Sequence, residues 1–371
     1  MIRLSKSSIS QAEKNAVMNV LDREYLGMGS EVKQFESDLS NFFGRKAICV
    51  VNGTAGLHLA LQAIGINKND EVIVPSITYV ASFQAIKAAG GIPIACDVIK
   101  ETLTLDPKDV KKRITKNTKA IMPVHYSGGV GDLSSIYDLA SKYKLRVIED
   151  AAHAFGSVYK NKKVGGFGDI ACFSFDGVKN ITSGEGGCIV SGDEELIKTI
   201  EDLRLLGVEK DTENRFKNKR SWDFEVKNQG WRYHMSNIMA AIGIEQLKRI
   251  DSFSSIRQQI AKKYQIALKT IPDLTLLSID YREVVPYIFP LILPPRVDRT
   301  QLRSDLEKKG IETGVHYYPN HKLTFFRNEN LTLPITEEIS NSLLTLPLHT
   351  EMSLSDVDYV CSELNKSLKA A

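Results

Sequence analysis

Asp150 and Lys179 are the residues of this chain best placed for chemistry. An apolar, β-branched stretch from Leu145 to Ile148 stops at Glu149-Asp150, as a buried parallel strand stops where its carboxyl end meets a cleft. A carboxylate there is hard to keep ionised without a cation or hydrogen-bond donors, and a protonated pyridine nitrogen is one such cation. A second apolar strand, Ile170 to Phe175, leads into Asp176-Gly177-Val178-Lys179. The turn Gly184-Glu185-Gly186-Gly187 follows before another strand begins at Cys188. Small residues beyond Lys179 let the backbone pass close to a bound molecule, and a partly desolvated amine loses the proton affinity that hinders imine formation. Taken singly, each residue is ordinary: most of the 48 Lys+Arg are merely solvated, and an Asp after a strand is usually a cap or turn residue. Their order and spacing point to a pyridoxal phosphate site, with Lys179 as the Schiff-base lysine and Asp150 on the pyridinium nitrogen.

Such a site needs a rigid frame, and the chain supplies the pattern for one. Strand-like runs at Ala47–Val51, Glu71–Val74, Ile92–Cys96 and Ala120–Val124 alternate with helical segments up to about residue 195, which predicts a doubly wound, mostly parallel sheet. Asn52-Gly53-Thr54-Ala55-Gly56 opens a helix, and its free N–H groups, hydroxyl and positive dipole end suit a phosphate. It is neither a Walker A loop nor a Rossmann fingerprint. Ser10 and Glu13 have capping-box spacing ahead of a helix, and Val32, Phe35, Leu39 and Phe42 form one stripe of the next, which ends at Gly44. Glu194–Leu206 reads as helix and residues 209–228 as an exposed charged loop. After Ser236 a helical pattern too long for one straight helix predicts a break near Ser252–Ser255. That break divides a large unit, 1–250, from a smaller α+β unit, 251–371. The smaller unit holds an apolar strand at Pro286–Leu293, an amphipathic helix at Asp298–Lys309 and a loop from Gly314 to His321.

Composition narrows the class. The chain has 371 residues, 43% hydrophobic and 25% charged, and a formal net charge of +3. These values are ordinary for a globular protein, and no basic run implies nucleic acid. No apolar run is long enough for a bilayer, so no membrane role and a cytoplasmic location are expected. The five cysteines lack C-x-x-C spacing and read as buried reduced thiols, and no metal site is expected.

The segment E-D-A-A-H-A-F-G-S, followed by G-D-I-A-C-F-S-F-x-x-x-K-N-I-T-x-G-E-G-G, closely resembles the cofactor-binding core of the DegT/StrS-type nucleotide-sugar aminotransferases. Those enzymes have the aspartate aminotransferase-like fold (fold type I), and further segments extend the likeness over nearly the whole chain. The resemblance implies that Thr54, Ala55 and Ser174 hold the cofactor phosphate, Tyr79 stacks on the pyridine ring, and His153 lies by the ring hydroxyl. It also implies that Arg232, in G-W-R-Y-H-M-S, reaches the phosphate in the partner chain's site of a homodimer with shared active sites. The family commonly has Asn where this chain has Arg232, and Arg where it has His234. The loop V-H-Y-Y-P-N-H resembles a segment near the sugar nucleotide, which brings His316, Tyr317 and His321 to the substrate. His125, in P-V-H-Y-S-G-G, also matches a family segment.

The implied reaction is transfer of an amino group from L-glutamate, leaving 2-oxoglutarate, onto a keto group of a nucleotide-linked deoxysugar, for amino-sugar and polysaccharide biosynthesis. V-H-Y-S-G-G and Y-H-M-S-N-I-M-A-A-I-G look more like members acting on 4-keto than on 3-keto sugars. Two alternatives remain open. One is a pyridoxal-phosphate-dependent sugar dehydratase, although those relatives carry histidine in place of Lys179. The other is a non-catalytic ligand-binding regulator, which would have no need of Lys179, Asp150 and Ser174 together.

Overall fold

A computed structural model describes every residue except Asn218, Ser221 and Ala371. Among the described residues nine strands lie in its larger part: β1 (Lys46–Val50), β2 (Glu71–Pro75), β3 (Ile92–Cys96), β4 (Thr118–Ile121), β5 (Arg146–Asp150), β6 (Val158–Tyr159), β7 (Lys162–Lys163), β8 (Ile170–Ser174) and β9 (Gly187–Ser191). Strands β6 and β7 form a separate hairpin, and the other seven make one sheet in the order β1-β9-β8-β5-β4-β2-β3. Pairing is parallel from β8 through β5, β4 and β2 to β3, while β9 runs antiparallel to both β8 and β1.

Alternate strand residues serve opposite faces. Ile48 and Val50 pack with Leu57 and Leu61 on one side, whereas Ala47 and Cys49 meet Phe35 and Leu39 on the other. Burial on both faces explains why these strands read as continuous apolar runs rather than alternating ones. Helix starts follow local chemistry: Ser10 caps Gln11–Asp22 with a complete capping box, and Asn52, Asp193 and Ser236 cap their helices through side-chain oxygens. Gly44, at φ 69°, ends helix Ser30–Phe43.

A second, antiparallel sheet joins β10 (Thr275–Leu276), β11 (Phe289–Ile292) and β12 (Leu343–Leu346). Helices Ile250–Leu268, Arg299–Lys308 and Leu354–Ala370 share its apolar core, to which Tyr264, Phe289, Leu306 and Leu364 contribute. The amino terminus packs here too, where Ile2 bridges to Ile311.

Two expectations need correction. The helical break falls at Arg249, between helices Asn237–Lys248 and Ile250–Leu268, and not at Ser252–Ser255. Arg249 leaves helical geometry with its guanidinium 2.8 Å from Glu13 and 3.3 Å from the Ser8 carbonyl, so a partner distant in sequence sets the bend. The stretch 209–228 contains a helix, Asp211–Phe216, although Asn218 and Ser221 within that stretch lie outside the described residues. Among the described residues no helix is long and apolar enough to cross a membrane.

The frame behind β1 contains a buried ion pair. Arg204, with no exposed surface, binds Glu36 and donates to the Cys49 carbonyl at 2.7 Å, while Glu36 accepts from the Cys49 N–H at 2.8 Å. Removing one partner strands the other charge, so Arg204→Met is expected to lower unfolding stability by about 3–5 kcal/mol in urea titrations. A double Glu36→Met, Arg204→Met chain should recover most of that loss. A single variant as stable as the native chain would show that the pair does not support β1.

Candidate active site

The carboxyl ends of β1, β5 and β8 lie along one edge of the sheet, the usual ligand edge of an open α/β fold. Asp150 is the last residue of β5 and pairs across with Cys172 of β8, two residues before Ser174. Its carboxylate is oriented by the Ser82 hydroxyl, which donates to Oδ2 at 2.7 Å, and by the Ala152 N–H, 3.3 Å from Oδ1.

Lys179 follows β8 in a tight turn closed by its own N–H to the Asp176 carbonyl at 3.0 Å. The strand-like pairing of Phe175 with Gly186 and Ser183 holds that turn in place. As a whole the residue is half-buried, yet its amine is enclosed, with Nζ 3.9 Å from the centre of the Tyr287 ring. Burial pulls the amine's pKa down to about 8; the charges of Asp150 and Asp176 oppose that fall, and Arg257 adds to it. His153 is kept neutral by burial, which drives its pKa well below the usual range, with the Lys179 charge acting in the same sense. Its Nε2 is 3.0 Å from the Tyr317 hydroxyl, and its buried Nδ1 has no partner. His316 falls to about 4 for the same two reasons, burial first, and its Nδ1 meets Thr345 at 3.0 Å.

At the other end of the site, helix Gly53–Ala63 begins against β8. A Cβ on Gly53 would come 2.9 Å from Cβ of Ser174, and one on Gly187 would come 2.6 Å from the Phe173 carbonyl and 2.8 Å from the Asn52 carbonyl carbon. The two glycines therefore let the helix start seat directly on Ser174. Helix geometry leaves the N–H groups of Gly53 and Thr54 without intrahelical acceptors, so this end presents donors and the positive dipole to an anion.

Thr54, Tyr79, Asp150, His153, Ser174, Lys179, His316 and Tyr317 all line one cavity of about 380 Å³. Three of the expected site residues do not. Ala55 lies one step inside the helix, and its N–H is taken by the Asn52 side chain at 2.8 Å, which removes it as a phosphate donor. His321 is buried away from the cavity, with Nδ1 2.7 Å from the Ser76 hydroxyl and Nε2 3.3 Å from Glu337. With Asn320, which donates to the carbonyls of Ser76 and Thr78, it fixes the segment that presents Tyr79. Arg232 is exposed, bridges to Leu205 and lies outside its own chain's cavity. His125 is buried behind the site, its Nε2 2.6 Å from Glu149, which also accepts from Tyr137 at 2.6 Å. Tyr287 and Ser82 belong to the site without having been legible. Tyr287 lies in no chemical motif, and Ser82 stands in P-S-I-T-Y-V-A-S as one small helix residue among others.

These residues fit pyridoxal phosphate. Ser174, Thr54 and the open helix start could hold the phosphate, Asp150 could pair with a cationic ring nitrogen, and Lys179 has an amine poised for imine formation. The unpartnered Nδ1 of His153 marks a buried polar atom that lacks a protein ligand.

Comparison with known proteins agrees. Residues 7–365 match the family model of the DegT/DnrJ/EryC1/StrS aminotransferase family. The uncharacterized protein MJ1066 of Methanocaldococcus jannaschii is 35% identical over 367 residues, covering 96% of this chain and 95% of that one. Among solved structures, the aminotransferase TlmJ from Streptoalloteichus hindustanus superposes with a TM-score of 0.92 at 31% identity, over 100% of this chain and 99% of its own. The PMP form of the putative sugar aminotransferase Spr1654 from Streptococcus pneumoniae gives 0.93 at 29% identity, over 100% and 98%. With an enclosed lysine and an oriented aspartate lining one cavity beside an open helix start, the chain belongs to the DegT/DnrJ/EryC1/StrS family and is a pyridoxal-phosphate-dependent aminotransferase of fold type I.

Proposed function

We propose that this enzyme transfers an amino group from L-glutamate to the keto carbon of a nucleotide-linked 4-keto deoxysugar, in amino-sugar biosynthesis. The observation that carries the aminotransferase part is the amine of Lys179, its pKa pulled down to about 8 in the cavity that Asp150 also lines. The sugar part draws on Spr1654, described as a putative sugar aminotransferase, and on the polar rim of Tyr79, His316 and Tyr317. The choice of a 4-keto sugar draws on V-H-Y-S-G-G and Y-H-M-S-N-I-M-A-A-I-G. Five buried, free cysteines accord with a reducing cytoplasm.

Bound pyridoxal phosphate supplies an electron sink that makes a proton on the substrate carbon removable. With a pKa near 8, Lys179 is free base often enough to take that proton and acid enough to return it elsewhere. Asp150, oriented by Ser82, would pair with the protonated ring nitrogen of the bound group and favour its electron-accepting form. Neutral His153 bonds Tyr317 and keeps Nδ1 for a partner in the cavity. Retention of Lys179, with its lowered proton affinity, favours amino transfer over dehydration.

The test is a half-reaction screen. Enzyme loaded with glutamate loses its imine absorbance, and a nucleotide-linked 4-keto deoxysugar is expected to restore it, with 3-keto isomers restoring it at least tenfold more slowly. Restoration by keto acids alone would remove the sugar reading.

Arg232, exposed and outside its own cavity, is proposed to serve the phosphate of a second copy in a homodimer. Lys179→Ala and Arg232→Ala, each inactive alone, should regain activity when mixed under subunit exchange, because one site per mixed dimer holds both groups. If Arg232→Ala is inactive and exchanged mixtures stay inactive, the shared-site model fails.

A further inference from the structure

Helix Ile250–Leu268 carries Arg257 into the junction between the two sheets, where the residue is 2% exposed. Its hydrogen bonds all leave from Nη1, to the carbonyls of Tyr287, Pro286 and Leu348 at 3.2, 3.4 and 3.5 Å. Among the described residues no carboxylate pairs with it, and its buried Nε has no partner. Burial holds its pKa down at about 10, so the guanidinium still carries its charge near neutral pH. A charge so placed is costly and ordinarily paired, because the interior cannot replace the water it has lost. Anchoring carbonyls needs a donor but not a charge, so the charge itself calls for a role.

Two features connect Arg257 with Lys179. Both residues line one small space of about 10 Å³, which is at the limit for a single water and has no room for a counter-ion. No carboxylate lines that space, and Lys6, also on its wall, is already offset by Glu351 at 3.6 Å. The two buried cations therefore act on each other through protein rather than through bulk water, where their repulsion would be weak. The second feature is the shortest bond of Nη1, which grips the backbone of Tyr287, and the ring of that residue is centred 3.9 Å from Nζ of Lys179.

We infer that Arg257 is a positioning residue for Lys179, a buried and unpaired cation that disfavours the protonated amine while it holds Tyr287 in place beside it. Burial is the largest influence on that amine; Asp150 and Asp176 oppose it, and Arg257 works with it. The remaining groups around the amine add no positive charge near neutral pH. His153 and His316 are held neutral by burial, Cys172 and Tyr317 keep their protons for the same reason, Tyr287 is pushed up to about 12, and Tyr79 and Glu185 line the main cavity. His349, which follows Leu348, is also kept below the usual histidine range by burial, with the Arg257 charge acting in the same sense. Among the described residues around Lys179, Arg257 is thus the cation left without a counter-ion, and its charge helps set how much of the amine is free base at a given pH.

Absorbance titration of the Lys179 nitrogen in the holoenzyme tests this. Loss of a neighbouring cation favours the protonated nitrogen, so Arg257→Gln, which keeps a donor for the carbonyls but no charge, is expected to raise its pKa by about one unit. Arg257→Met, closer in length, gives the same expected rise where Arg257→Gln does not fold. Arg257→Lys keeps the charge and should titrate within about a third of a unit of the native chain. A native titration in the uncharged variants would leave Arg257 as a carbonyl anchor only and would overturn the proposal. An equal rise in Arg257→Lys would trace the effect to lost packing and overturn it as well. The role of Arg257 rests on Lys179 carrying the cofactor, which borohydride labelling of each variant reads separately. An uncharged variant labelled at Lys179 with an unchanged titration overturns the role of Arg257 alone, whereas a label on another lysine overturns both.

Discussion

Burial disfavours the charged amine of Lys179 more than Asp150 and Asp176 favour it, which brings its pKa to about 8. Much of the surrounding structure maintains that balance. The Tyr287 ring gives the ammonium a face to rest on without giving it a counter-ion, and tyrosine in that role leaves the nitrogen able to lose its proton. His153 and His316 stay neutral beside it, so the cavity does not accumulate positive charge as the pH falls through the usual histidine range. A carboxylate within ion-pair distance would have locked the lysine in its charged form. Asp150 instead is oriented by Ser82 toward the cavity, close enough to matter electrostatically.

That arrangement depends on parts far apart in sequence. Asp150 comes from the end of β5, Lys179 from the turn between β8 and β9, Thr54 from the helix after β1, and Tyr287 from the segment entering β11. The sheet brings the first three to one edge, and Gly53 and Gly187 allow the closeness that a Cβ would forbid. Behind β1, the Arg204–Glu36 pair holds the Cys49 backbone, and the Tyr233 carbonyl accepts from the Val51 N–H at 2.7 Å. The helix start that would hold the phosphate is thereby positioned from both sides. Tyr287 arrives with the second sheet, so a shift of that sheet relative to the first would change the environment of the amine.

Where local sequence determines structure, the sequence was a good guide. The capping box at Ser10 and Glu13, the αL stop at Gly44 and the doubly buried strands each follow from a few neighbouring residues, and each is present. Lys179 and Asp150 were legible because the strand ends and the glycine turn around them form one short, ordered pattern. What escaped was decided at long range. The bend at Arg249 is set by Glu13, and His321 turned inward because Ser76 and Glu337 give its two nitrogens partners. Tyr287 acquires its role only when the second sheet docks, and nothing in its neighbourhood of sequence announces it. Ala55 lost its expected role to Asn52, three residues away, because the cap competes for the same N–H.

We propose that Lys179 is the lysine that carries the cofactor. Borohydride reduction of the holoenzyme, followed by peptide mapping, reads it directly: the pyridoxyl group is expected on the peptide containing Lys179, with a stoichiometry of about one per chain. A label on any other lysine, or a Lys179→Ala chain labelled as fully as the native one, would contradict it.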